Sequence, residues 1–74
     1  MQANDLSGKI VTEGDVVAYG HDNGSTLELG KVYKITPKKV WMYPIQDGVV
    51  QFLCKQCRDW RRVVKVENFY NRDK

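Results

Sequence analysis

Cysteine is scarce in this chain. Cys54 and Cys57 are the only two, so no disulfide framework of the kind that staples small secreted domains is in sight. As a lone C-x2-C they supply half the ligands of a structural zinc site, and beyond them the chain offers one histidine, His21. A metal shared between two chains, or a redox pair, would need a setting that the surrounding residues do not signal. The expectation is two small, partly buried side chains, with no metal and no cofactor. His21 lies in a loop of glycine, asparagine and aspartate with no serine or cysteine beside it to activate, which argues against triad chemistry. A glycine-rich phosphate loop and a recognisable carboxylate pair are also missing. Long apolar runs are absent as well: none approaches the ~18 residues of a membrane span. Met1-Gln2-Ala3-Asn4-Asp5 has neither the basic start nor the apolar stretch of a secretory leader. These absences predict a cytoplasmic protein that is not an enzyme and does not enter a membrane.

With 74 residues there is room for a single domain, residues 1–74. A chain this short lies near the limit at which one unstapled core carries folding. Two tryptophans, four tyrosines and two phenylalanines supply the bulk for such a core. The net charge of +3 is ordinary, but its distribution is not. Residues 1–30 set Asp5, Glu13, Asp15, Asp22 and Glu28 against Lys9 alone, a balance of −4. Residues 31–74 set seven lysines and four arginines against Asp47, Asp59, Glu67 and Asp73, a balance of +7. Such asymmetry predicts a basic face turned toward an anionic partner.

The hydrophobic pattern is that of short strands. In residues 27–36, Leu27, Leu29, Tyr33 and Ile35 alternate with Glu28, Gly30, Lys34 and Thr36, the period of a half-buried strand, with Lys31 the misfit. Thr36-Pro37-Lys38-Lys39 is a turn, because proline presets φ and cannot continue a ladder. Residues 39–45 form the returning arm, β-branched and aromatic, with Pro44 breaking it or marking an edge. Upstream, residues 9–11 read as a short strand and 14–20 as a longer one, preceded by a loose lead-in over 1–8. Residues 20–26 form the longest loop. Downstream, Asp47-Gly48 is a hairpin signal. It leads into a strand over 49–55 with Val50, Phe52 and Cys54 on one face; a short helix over 50–58 is the alternative. A tight, 3-10-like link over 56–59 then precedes a last strand over 61–67, with Val64 and Val66 on one face, and a short polar tail. The predicted core is Val17, Ile35, Val40, Met42, Phe52, Val64 and Val66.

The predicted fold class is all-β, a five-stranded SH3-like small barrel with its core over about 9–67, a flexible N-terminal lead-in and a short C-terminal tail. The last strand closes against the first and so removes edges. The runs EGDVVAYG over 13–20 and LGKVYKITPKKVWM over 29–42 resemble the KOW/Tudor group of SH3-like barrels. Gly14, Asp15, Val17, Gly30, Val32, Ile35, Lys38 and Val40 sit where the KOW pattern places its residues. The loop HDNGST differs from the more basic loop usual in that group. The resemblance implies a binding module that often serves transcription or translation machinery and performs no catalysis. In its size and single module the chain also resembles phage-encoded accessory proteins.

The candidate binding residues are Lys34, Lys38, Lys39, Trp41 and Tyr43, joined by Arg58, Arg61 and Arg62. Lys39, Trp41 and Tyr43 alternate with Val40 and Met42, so they project from one face. If the valine and methionine are core, aromatics and cations lie together outside, as suits single-stranded nucleic acid. The opposite assignment places Trp41 and Tyr43 in the core and the lysines on a solvated rim. The leading expectation is a nucleic-acid-binding module, for DNA or RNA. The alternative is a protein–protein adaptor that docks on an acidic or host partner, and a third is a small metal- or redox-dependent protein using the cysteine pair.

Overall fold

The computed structural model describes residues 1–21 and 26–67. In chain order the strands are β1 (Ala3–Asn4), β2 (Ile10–Val11), β3 (Val16–Gly20), β4 (Leu27–Ile35), β5 (Lys39–Gln46), β6 (Val49–Val50), β7 (Gln56–Asp59) and β8 (Val63–Lys65), with a 3-10 turn at Trp60–Arg62 before β8. β1 and β2 make a small ribbon. The others form a six-stranded sheet in the order β6-β5-β4-β3-β8, and β7 also pairs with β5. Every pairing is antiparallel. No helix among the described residues is long and apolar enough to cross a membrane. The tail over 68–74 and most of the 20–26 loop, at 22–25, lie outside the described residues.

The β4–β5 hairpin is the centre of the sheet. Its turn closes as Thr36 N–H donates to Lys39 O at 2.9 Å and Lys39 N–H to the Thr36 hydroxyl at 3.1 Å. The turn from β5 to β6 places Asp47 at φ 53° and Gly48 at φ 81°, the left-handed pair that an Asp-Gly hairpin favours. Inward-facing Val40 and Met42 of β5, Val32 of β4, Val17 and Tyr19 of β3 and Val63 of β8 are almost wholly buried, and Val11 joins them from β2. Gly30 has no side chain for a packing reason: a Cβ there would collide with Met42 and lie 3.0 Å from Tyr19 Cε1.

The expected faces of β4 are corrected by a bulge. Val32 pairs with Met42 but Lys34 pairs with Trp41, so Tyr33 is an extra residue on β4 and the period-2 alternation slips there. Gly30, Val32 and Ile35 face inward, Leu27 is exposed, and Lys31 is no misfit but an outward residue.

The expected strand over 49–55 is also corrected. Only Val49–Val50 of it is strand, β6, and 56–59 is strand, β7, rather than a 3-10 link; β6 and β7 pair with opposite ends of β5. Gln51 N–H donates to Pro44 O at 2.8 Å. A strand residue directs its carbonyl and its N–H to the same side, so the donor that Pro44 lacks faces this edge, and the ladder stops. The chain loops out over 51–55, and Phe52, expected in the core, is 65% exposed. The last strand is shorter than 61–67 and its faces are reversed. Val63 opposes buried Tyr19 and Val64 opposes Ala18, so Val63 is buried, Val64 is exposed and Val66 is half-buried.

The N-terminal segment is no loose lead-in. Ala3 pairs with Val11, and the buried Asp5 carboxylate accepts from Ser7 Oγ at 2.7 Å, Lys9 N at 2.9 Å and Lys65 N at 2.6 Å. Leu6 N–H adds a bond to Val63 O at 3.0 Å. One carboxylate thus ties the first hairpin to the last strand.

Candidate functional site

Antiparallel register fixes which side chains share a face, because residues directly opposite one another project the same way. Along β5, Val40 and Met42 are fully buried, so Lys39, Trp41 and Tyr43 stand on the outer side, the lysine exposed and the two rings half-buried. Lys34 lies opposite Trp41, Lys31 opposite Tyr43, and Cys57 of β7 opposite Trp41 on the other flank. The assignment of Trp41 and Tyr43 to the core is therefore overturned. Lys34, Lys39, Trp41 and Tyr43 come together on one face.

Two further aromatics reach this face without a sequence signal. The bulge turns Tyr33 outward, where its ring stacks on Tyr43 with centroids 4.2 Å apart and planes at 17°. Phe52, on the loop that leaves β6, meets Tyr43 edge-on at 5.1 Å and 63°. Neither a single-residue bulge nor a loop set by a missing proline donor is visible in a hydrophobic pattern. Lys31 belongs here too, and was hidden by its misfit to the uninterrupted alternation. Among the described residues Trp41 contacts no other ring, and its indole N–H has no hydrogen-bond partner. The half-buried indole has Lys34 opposite it and Lys39 two residues before it on β5.

Of the remaining candidates, Lys38, Arg61 and Arg62 lie at the end of this face. Lys38, in the β4–β5 turn, borders an open pocket of about 340 Å³ with Pro37, Asp59, Trp60, Arg61 and Arg62. Trp60 holds that corner by donating its indole N–H to Thr36 O at 3.0 Å. Arg58 is not part of the outer face. It opposes buried Val40, and its guanidinium is fixed by bonds to Gly20 O at 3.0 Å and Cys57 O at 2.7 Å, 5.0 Å above the Tyr19 ring.

The thiols of Cys54 and Cys57 are free, the first exposed and the second half-buried. Among the described residues no three His, Cys, Asp or Glu side chains gather as a metal site would require. His21 is exposed at the end of β3. The loop between β6 and β7 carries the most exposed apolar side chain of the molecule's described part, Leu53, beside Phe52. What the outer face offers chemically is a set of flat rings beside ammonium groups, with the free thiol of Cys57 on its β7 flank.

Comparison with the curated proteins and with the solved structures finds no match for the chain. Residues 3–66 match a family described as a domain of unknown function, DUF7205, and the chain belongs to that family.

Proposed function

We propose that this protein is a non-catalytic SH3-like module that binds single-stranded nucleic acid on the outer face of β4, β5 and β7. The strand order supports an SH3-like barrel. A last strand paired back onto the first long strand, a central hairpin, and a short strand after it follow the order expected of that fold. The observation that carries the function is the β5 alternation. It turns Trp41 and Tyr43 outward beside Lys31, Lys34 and Lys39, and Tyr33 and Phe52 extend the aromatic surface. Bases stack on such rings at about 1–3 kcal/mol each, while the ammonium groups meet phosphates and release counterions. Cross-strand stacking of Tyr33 on Tyr43 also stabilises the sheet, by roughly 0.2–1 kcal/mol. It does not require that Trp41 lie on the same face with Lys34 opposite it and Lys39 two residues away.

The test is the salt dependence of binding to a fluorescent oligothymidylate. Affinity falls steeply with salt, and the Lys34→Glu/Lys39→Glu double variant binds more weakly to every sequence with a flatter salt slope. Wild-type protein that stays unbound at low salt contradicts the proposal. One observation favours a second reading, a protein–protein adaptor. Phe52 and Leu53 project from the 51–55 loop, exposed and adjacent, as an apolar anchor at a protein interface does. That reading predicts capture of a partner that salt does not weaken.

A further inference from the structure

Between the β4–β5 turn and the 3-10 turn at Trp60–Arg62 is an open groove of about 340 Å³, the pocket that Lys38 borders. Pro37 and Lys38 line it from the first turn, and Asp59, Arg61 and Arg62 from the second. Trp60 joins the two walls. Its half-buried ring packs against the core, and its indole N–H is committed to Thr36 O at 3.0 Å. The turn that carries Pro37 is itself closed by the bonds between Thr36 and Lys39. Both walls are therefore set before any ligand arrives, so little ordering is left to oppose binding.

Lys38, Arg61 and Arg62 form no ion pair or side-chain hydrogen bond among the described residues. Nor does Asp59, which stands at the N-cap of the 3-10 turn without capping it and opposite Lys39 without an ion pair. The groove thus has an apolar middle, Trp60 and Pro37, with cations on both walls and one carboxylate on the second. Its complement has an apolar group at the centre, negative charge on either side and a donor for Asp59. An acidic peptide has all three. An apolar side chain rests on the indole as an anchor, flanking carboxylates meet the cations, and a backbone N–H reaches Asp59. A phosphodiester backbone has no donor and meets the Asp59 carboxylate as a like charge. We infer that this groove docks an acidic peptide segment whose apolar side chain lies on Trp60, with carboxylates before and after it. The site is separate from the aromatic face and does not rest on the nucleic-acid reading.

The experiment follows the indole and amide NMR signals of isotope-labelled protein as three hexapeptides are added in turn. The first carries Leu-Phe between two pairs of glutamates, the second Leu-Phe between two pairs of glutamines, and the third Gly-Gly between two pairs of glutamates. The first shifts the Trp60 indole and the amides of Lys38 and of residues 59–62, and leaves the Trp41 indole in place. The other two bind more weakly by about tenfold or more, because each lacks either the charge or the anchor. Lys38→Gln/Arg61→Gln, which takes one cation from each wall, weakens the first peptide by about tenfold, as for one charge-assisted hydrogen bond. The control Lys31→Gln, on the aromatic face, does not. All three lysine and arginine positions are exposed, so the variants keep the wild-type melting temperature. No shift at Trp60 with the first peptide at millimolar concentration, or equal binding of all three peptides, overturns the inference. So does a Lys38→Gln/Arg61→Gln variant that binds the first peptide as well as Lys31→Gln does. Oligothymidylate that displaces the first peptide from Trp60 assigns the groove to nucleic acid and overturns it as well.

Discussion

Asp5 shows how much a single side chain does in a chain of this length. Burial works against its charge, but donors from Lys65 N–H, the Ser7 hydroxyl and Lys9 N–H outweigh that effect and hold its carboxyl below the ordinary value of 3.8. A group whose pKa is depressed by folding stabilises the native state at pH values above its unfolded pKa. That contribution disappears as pH falls through the lower, folded value. Thermal melts from pH 7 downward should therefore lose stability below about pH 4, and Asp5→Asn should flatten that part of the profile. Asp5→Ala leaves Lys9 and Lys65 N–H groups without their acceptor and should cost about 1–3 kcal/mol at neutral pH. A melting temperature unchanged in Asp5→Ala would mean that the hydrogen bonds to this carboxylate contribute nothing to stability. Nothing in the residue pattern of 1–8 announced this role. Asp5 sits in a polar stretch without periodicity, and its principal partner, Lys65, is sixty residues away.

Elements whose residues alternate cleanly were readable from sequence, and those bent by a local backbone event were not. The β5 strand and its two turns follow directly from alternation, Pro37 and Asp47-Gly48, while the pairing of the last strand with β3 was expected only from closure of the barrel. The bulge at Tyr33 shifts the phase of β4, and the missing donor of Pro44 splits the strand after the hairpin. The 3-10 turn at Trp60–Arg62 precedes β8 in place of the expected strand residues, and the side of β8 that faces inward is set by its register with Tyr19. That register gives a sharp test, since neighbouring valines have opposite surroundings. Val63→Ala should lose about 1.5–3 kcal/mol of stability in urea unfolding, whereas Val64→Ala should stay within ~0.5 kcal/mol. The reverse order would place the strand one residue out of register. Half of the candidate site shares this history: Lys39, Trp41 and Tyr43 were found by alternation on β5, while Tyr33 and Phe52 reach the same face through the two irregularities.

At the scale of the molecule, the basic second half of the chain supplies the outer face and the corner beyond it, while acidic residues of the first half serve other ends. Asp5 binds the first ribbon to β8, Asp15 caps its own turn through Thr12 at 2.8 Å and pairs with Lys65 at 3.5 Å, and Glu28 accepts from the Tyr19 hydroxyl at 3.2 Å. The linear charge split thus survives folding as a division of labour between acceptors that hold the sheet together and cations left facing outward. The most direct measurement of this account is the affinity of Trp41→Ala for oligothymidylate at low salt, taken beside its melting temperature. The account predicts binding weakened by about 1–3 kcal/mol, with a melting temperature within a few degrees of wild type. Melting lowered as for a core aromatic, by about 3–5 kcal/mol, or affinity equal to wild type, would contradict it.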